Sequence, residues 1–384
     1  MSARRSILGL SLIELMIALV LGSILILGLA QVFAASRASY ALSEGLSRVQ
    51  ENGRFAVDYL QRDLRMVGHF GCANDQFRLQ KPGFLKSHLA ASGPLDFVRS
   101  IQGYEATGTG PSATVVLPTD AEIQSPGSWA GNPALPAFIS GANPKPLPGS
   151  DVLLVRFLSG EGVPVTSINA TGVSVDPTKW NVLTQSGITN PSLFGVADCT
   201  YADVFQATTV SAGTITATHT ALNTSAVDFA SRYSASPAGQ TMLYRAEAVA
   251  YYVAAGAGGG PSLWRLRFHS IPGGGLVSDS EELIEGIENL QLIYGRDQGT
   301  VTALTGNVGM QDTANVLGTS EAEWRRVGQV RIGLLARSPD RSAAAAAQLS
   351  PRVLGTTLTP PADARYRAVY ETTVALRNRL YSTQ

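Results

Sequence analysis

Charge of either sign is scarce in this 384-residue chain: 29 basic and 29 acidic side chains, together 15% of the residues, cancel to zero. No tract of lysine and arginine emerges, so the clustered cationic footprint that direct nucleic-acid binding needs is missing. Histidine is reduced to four residues, His69, His88, His219 and His269, and none has the i, i+4 spacing of a zinc-binding helix or lies near a cysteine pair. They read as ordinary surface or core histidines, and no metal or cofactor is expected. There is no glycine loop ending in Lys-Ser or Lys-Thr; the glycines at 256–260 run into Pro261 and those at 273–275 into Leu276, so both are turns. A Gly-x-Ser-x-Gly elbow is absent as well. The acidic group Asp279, Glu281 and Glu282 lacks the twelve-residue pattern of a calcium loop. These absences lower the case for catalysis, and the chain is read as a non-enzyme.

Proline is also absent from residues 15–67, and what stands there is helical. A basic leader with Arg4 and Arg5 gives way to residues 15–35, which hold no charged side chain. At helical rise that run spans roughly 30 Å, the thickness of a bilayer's hydrocarbon. One carboxylate, Glu14, stands at its mouth, and burying an unpaired acid in such a segment costs at least ~2.5 kcal/mol, which makes it a functional candidate. From 36 to 67 the pattern turns amphipathic: Leu42, Leu46, Val49, Gly53, Ala56, Leu60, Leu64 and Val67 draw one stripe. Glu44 with Arg48 and Asp58 with Arg62 have the favourable acid-first order four residues apart. The two halves predict one helix of about 55 residues and about 80 Å, free in its first half and held to a globular body in its second.

The run Gly9-Leu10-Ser11-Leu12-Ile13-Glu14-Leu15-Met16 closely resembles the processing site of type IV pilins and type II secretion pseudopilins. The resemblance implies cleavage by a prepilin peptidase between Gly9 and Leu10, N-methylation of Leu10, and Glu14 as the fifth mature residue. Leu10 departs from the phenylalanine with which that family usually begins. Removing the leader would leave 27 basic against 29 acidic residues, since Arg4 and Arg5 go with it. In a core of apolar helices Glu14 is tolerated if the new amino terminus of a neighbouring subunit meets it. Such a pair sets register, because a slip would leave a buried charge alone. The plainer reading places Glu14 at the headgroup level, solvated and without a role. A secretory signal cleaved after Val32-Phe33-Ala34 and a retained signal anchor are the rivals, and N-terminal sequencing separates all three. Arg4 and Arg5 hold the leader in the cytoplasm and send the remainder across.

After Gly68 and Gly71 short strand-like runs take over, at 113–117, 151–157, 204–210, 214–218, 246–254, 262–269, 290–294, 327–336 and 366–380. The last ones alternate, with Val330, Ile332, Leu334, Val374 and Leu376 set against Arg331 and Arg377, as an antiparallel sheet on the helix stripe would. Residues 298–320 read as an exposed loop and 343–347 as a short helix or linker. The fold class is therefore α+β: a long N-terminal helix on an antiparallel sheet, with a β-rich middle lobe. The expected division is 1–9 leader, 10–35 membrane and assembly helix, 36–92 amphipathic helix and start of the head, 93–239 middle lobe or insertion, and 240–384 C-terminal sheet.

The tail carries a second resemblance. Leu283-Ile284-Glu285-Gly286-Ile287-Glu288-Asn289-Leu290-Gln291, then Tyr294-Gly295, Trp324, Val327, Val330, Arg331 and Ile332, and finally Tyr366-Arg367 with Thr373-Val374, Leu376 and Arg377-Asn378-Arg379, look like the PilW family of minor pilins. They are similar also to the J-type minor pseudopilin of type II secretion. The PilW resemblance implies an inner-membrane protein with a periplasmic head that joins the pilus, at its tip in this reading. Its partners would be other minor pilins, the major pilin, the prepilin peptidase and a tip adhesin, and its roles pilus assembly, adhesion and twitching motility. A type II secretion pseudopilin, and a membrane-anchored periplasmic enzyme or adhesive module, stand as alternatives. In that oxidising setting Cys72 and Cys199 are most simply a disulfide, with two separate thiols as the alternative.

Overall fold

The computed structural model describes residues 11–75, 81–90, 93–185, 187–211, 213–220, 222–341 and 350–379. A single helix, Leu12–Met66, runs for 55 residues without interruption. Beyond it Gly68 and Gly71 adopt positive φ, at 75° and 81°, and fold the chain into the small hairpin of His69–Phe70 and Ala73–Asn74. A side chain at Gly71 would also meet Ala197 at 2.8 Å. Those two positions stop the helix and turn the chain back onto the body.

The helix stripe lies on a four-stranded antiparallel sheet, in the order Val308–Asp312, Ile287–Asp297, Val327–Arg341 and Arg365–Ala375. Val49, Ala56, Leu60 and Leu64 of the helix share one core with Leu290, Leu292, Tyr294, Trp324, Val330, Ile332, Leu334, Val374 and Leu376. Each fully buried aliphatic side chain there contributes about 1.5–3 kcal/mol. The sheet's other face is covered by Leu117, Val353, Leu354 and Leu358, which pack on Ile293 and Leu335.

A larger sheet is built around Met242–Ala255. The first part of that strand pairs with Leu193–Ala197 and the rest with Val152–Leu158 and Pro261–Ser270, all antiparallel. Both of its faces are buried: Val249, Tyr251 and Val253 point into the helix core, while Ala248, Ala250, Tyr252 and Ala254 enter a second core with Leu154, Leu158 and Phe268. A third core, with Phe194, Phe205, Ile215, Phe229 and Leu243, fills the distal lobe. The sheet thus joins strands from both sides of residue 239, so 93–239 and 240–384 are tied by continuous hydrogen bonding.

Several expectations need correction. The run 204–210 is two strands, Ala202–Gln206 and Thr209–Ser211, because Ala207 turns its N–H to Ser192 O and Thr208 to Thr216 O. Residues 298–320 are not all loop: Val308–Asp312 is an edge strand and Ala314–Leu317 a short helix whose Ala314 and Leu317 are buried. The last strand ends at Ala375 and a 3-10 turn, Arg377–Arg379, follows. Leu380, residues 343–347 and residues 1–10, Gly9 and Leu10 among them, lie outside the described residues.

Candidate assembly site on the N-terminal helix

Ser11 caps the helix. Its Oγ accepts the Glu14 N–H at 3.2 Å, and the Glu14 carboxylate accepts the Ser11 N–H at 3.0 Å and its hydroxyl at 3.1 Å. This is a reciprocal capping box, and its signature, serine followed three residues later by glutamate, is legible as Ser11-Leu12-Ile13-Glu14. Glu14 therefore has a partner in its own chain, a local role that the resemblance-led reading missed. Beyond it the helix is apolar and bare: a window with mean hydropathy 2.6 has none of its residues buried. The hydroxyl of Ser23 is satisfied inside the helix by Val20 O at 2.8 Å. Nothing approaches the Cβ positions of Gly22 or Gly28 within 4 Å.

The second half is held closely. A Cβ on Gly53 would lie 2.2 Å from the Tyr370 ring, so only glycine lets the ring lie flat against the helix. Gly45, which the periodicity did not single out, is buried beside Ser338. Polar straps follow the same line: Asn52 Nδ2 to Glu285 O at 3.1 Å, Gln61 Nε2 to Thr372 Oγ1 at 2.9 Å, and the Tyr251 hydroxyl to the Asp63 carboxylate. Burial pushes Asp63 up, partly offset by Tyr251 and by the charge of Arg265. Of the two expected surface pairs, Glu44–Arg48 is made at 3.3 Å, and Asp58–Arg62 is not among the ion pairs of the described residues.

Past the helix, Cys72 is bonded to Cys199, 127 residues away in the turn between Leu193–Ala197 and Ala202–Gln206. Nearby, the buried Asp203 gathers three side chains from two distant stretches of the chain. It accepts His88 Nε2 at 2.7 Å, Arg232 Nε at 2.6 Å and the Tyr233 hydroxyl at 2.5 Å, and His88 Nδ1 in turn meets Ser225 Oγ at 2.8 Å. Burial alone would raise the aspartate, but the His88 and Tyr233 hydrogen bonds and the Arg232 charge hold it below its usual value. Ser225, His88 and Asp203 linked in a row resemble a hydrolase relay, but here Arg232 supplies the counter-charge to the carboxylate and the Tyr233 hydroxyl a further hydrogen bond, and the cluster ties together stretches distant in sequence. The acidic strand residues are also engaged: Asp279 with His269, Glu281 with Arg265 and Glu282 with Ser262, each at 2.6 Å. Among the described residues no three His, Cys, Asp or Glu side chains are placed to hold a metal.

The tail residues singled out by resemblance converge under the helix. Arg367 clasps the buried Glu288 through two bonds, at 2.7 and 3.0 Å. Tyr294 and Trp324 stack edge to face at 4.8 Å, with the Trp324 N–H on Gly318 O at 2.9 Å. Asn378 donates to Arg65 O and Val67 O at the helix end, and Arg379 reaches Trp324 O at 2.8 Å and Asp75 at 3.1 Å. Asn289 and Gln291 both donate to Gly149 O.

Residues 250–378, which contain Glu288, Asn289, Gln291, Tyr294, Trp324, Arg367 and Asn378, match the family described as Type IV Pilus-assembly protein W. Residues 4–30 match the prokaryotic N-terminal methylation motif. The chain is similar to PilW proteins behind a prepilin-type start. Together the two matches support a type IV pilus minor pilin. None of the curated proteins and none of the solved structures matches the chain. The PilW match takes in the helix-supporting sheet but, of the larger sheet, only Pro261–Ser270, Leu276–Glu285 and the end of Met242–Ala255; the rest of that sheet and the distal lobe lie outside it.

Proposed function

We propose that this minor pilin helps to start or cap a type IV pilus by packing its bare helix among those of neighbouring pilins. The observation that carries the reading is the contrast within one unbroken helix: among the described residues its first half packs on no other element, and its second half is cemented to the four-stranded sheet. A prepilin peptidase cuts between Gly9 and Leu10, Leu10 is methylated, and the head faces the periplasm until assembly. The new amine of one subunit then meets Glu14 of another. The capping box does not oppose this, because the Ser11 hydrogen bonds hold the carboxylate at the helix entrance, where an amine arriving from solvent or a neighbour can reach it. Work is done by packing and register, not turnover, and adhesion and twitching follow from the pilus. The bulk of the distal lobe favours the tip, since such a head is hard to stack along a shaft.

The test is Glu14→Ala. We expect membrane insertion and processing to persist while incorporation into sheared filaments drops at least about tenfold, as loss of a buried pair worth a few kcal/mol implies. Wild-type incorporation of the variant would defeat the pairing role. Mass spectrometry of the native N-terminus, expected at methylated Leu10, checks the processing step, and co-purification with minor pilins or with secretion pseudopilins separates pilus from secretion apparatus.

A further inference from the structure

Where the larger sheet meets the PilW sheet, two buried carboxyls lie together without a cation. Asp151 is the corner between them. Its Oδ1 accepts the Ala106 N–H at 3.0 Å, from strand Ile101–Ala106 of the larger sheet. Its Oδ2 accepts the Leu292 N–H at 2.9 Å, from strand Ile287–Asp297 of the PilW sheet. Glu105, 4% exposed, joins it through the Thr109 hydroxyl, which lies 3.0 Å from Glu105 Oε1 and 3.4 Å from Asp151 Oδ1. Among the described residues Glu105 Oε2 and the fully buried Tyr294 hydroxyl have no hydrogen-bond partner. Tyr294 faces both carboxyls and Tyr104, and the Ala314 amide faces Glu105 from the short helix packed on this strand.

The cations of the neighbouring elements are committed elsewhere. Arg156 is spent on the carbonyls of Gly93, Pro94 and Arg99, and Arg99 on Asp96, both in the surroundings of Tyr104. No salt bridge to Glu105 or Asp151 is made among the described residues.

We propose that Glu105 and Asp151 form a proton-operated clasp between the two sheets, closed while the pair retains a proton and loosened when both carboxylates are charged. Two like charges in a buried junction repel strongly, so one of the pair keeps its proton unless a cation or solvent comes between them. One proton lets Glu105 donate to its neighbours while Asp151 keeps its two backbone amides. Burial pushes Glu105 up to about 7, against the pull of Thr109 and Ala314, and burial together with the charge of Glu105 pushes Asp151 well above its ordinary range. Since the folded value of Glu105 is raised from 4.5, its contribution is complete below 4.5 and is lost as pH rises through about 7. The clasp sits where a head exposed outside the cytoplasm would sense the pH of its surroundings.

The experiment follows the thermal midpoint of the full-length protein in detergent between about pH 5 and about pH 8.5. We expect it to fall by several degrees in the wild type and to stay level over the same range in Glu105→Gln, which keeps the shape and the neutral state. An identical decline in the variant overturns the clasp. If Glu105→Gln does not fold, infrared difference spectra of the wild type decide: a protonated carboxyl band that disappears across neutrality, together with faster exchange of the Leu292 and Ala106 amides, supports the clasp, and its absence refutes it. Wild-type stabilisation at alkaline pH by added calcium, lost in Glu105→Gln, would make the pair a cation site instead and likewise overturn the proposal.

Discussion

At the scale of single residues, the molecule relies on buried polar groups whose partners come from distant parts of the chain. Asp203 is the clearest, with Arg232, Tyr233 and His88 around one carboxylate. Asp203→Asn leaves the half-buried Arg232 facing a neutral amide and weakens the hydrogen bonds around it, and we expect a loss of about 1–3 kcal/mol in chemical denaturation. Because the folded aspartate is held below the ordinary 3.8, its contribution is present above that value and disappears as pH falls through the folded one. Acid unfolding of the wild type should therefore steepen below about pH 4, and the variant should show a shallower acid limb in a pH series read by circular dichroism. Gly53 illustrates the opposite device, where the lack of a side chain lets the Tyr370 ring lie on the helix.

At the scale of elements, the disulfide bridges the hairpin after the helix to the turn at Cys199. In the chain-entropy model a closed loop of this length is worth about 5 kcal/mol as an upper figure. Replacing both cysteines with serine should lower the denaturant midpoint strongly in non-reducing buffer and leave little further effect of reductant. The native mass should be lighter by two hydrogens than that of the reduced chain. This pair, the long helix and the last sheet were legible in the sequence for physical reasons. A 3.6-residue stripe from Val49 to Leu64 without proline has one reading, and Val330-Ile332-Leu334 alternates cleanly because one face meets the helix. The middle strands were legible with shifted limits. Val152–Leu158 and Met242–Ala255 read as 151–157 and 246–254, because both of their faces are buried and no polar alternation marks their ends. Ile101–Ala106, buried throughout, carries Gln102 and Glu105 inside and was missed for that reason. The knot at Asp203 and the clasp at Asp151 join residues far apart in sequence, and no local pattern announces them.

At the scale of the whole molecule, the helix divides the chain into a part that stabilises the fold and a part that does not. Among the described residues, 11–35 make no buried contact, so a head cut back to begin at residue 36 should unfold within a few degrees of the full-length protein and remain soluble. The same deletion should abolish its recovery with sheared filaments, measured by immunoblot of the pellet. Any catalytic activity found in that head would turn attention to the distal lobe, which lies beyond the PilW match.

The bridge from Cys72 to Cys199 also decides how a tug on the filament would travel. Tension entering along the rod arrives at Met66, and one covalent link a few residues on transfers part of it to the distal lobe, leaving fewer sheet hydrogen bonds loaded in series. A head anchored in that way resists being peeled open strand by strand, and its weak points under load become the far edges of the sheets.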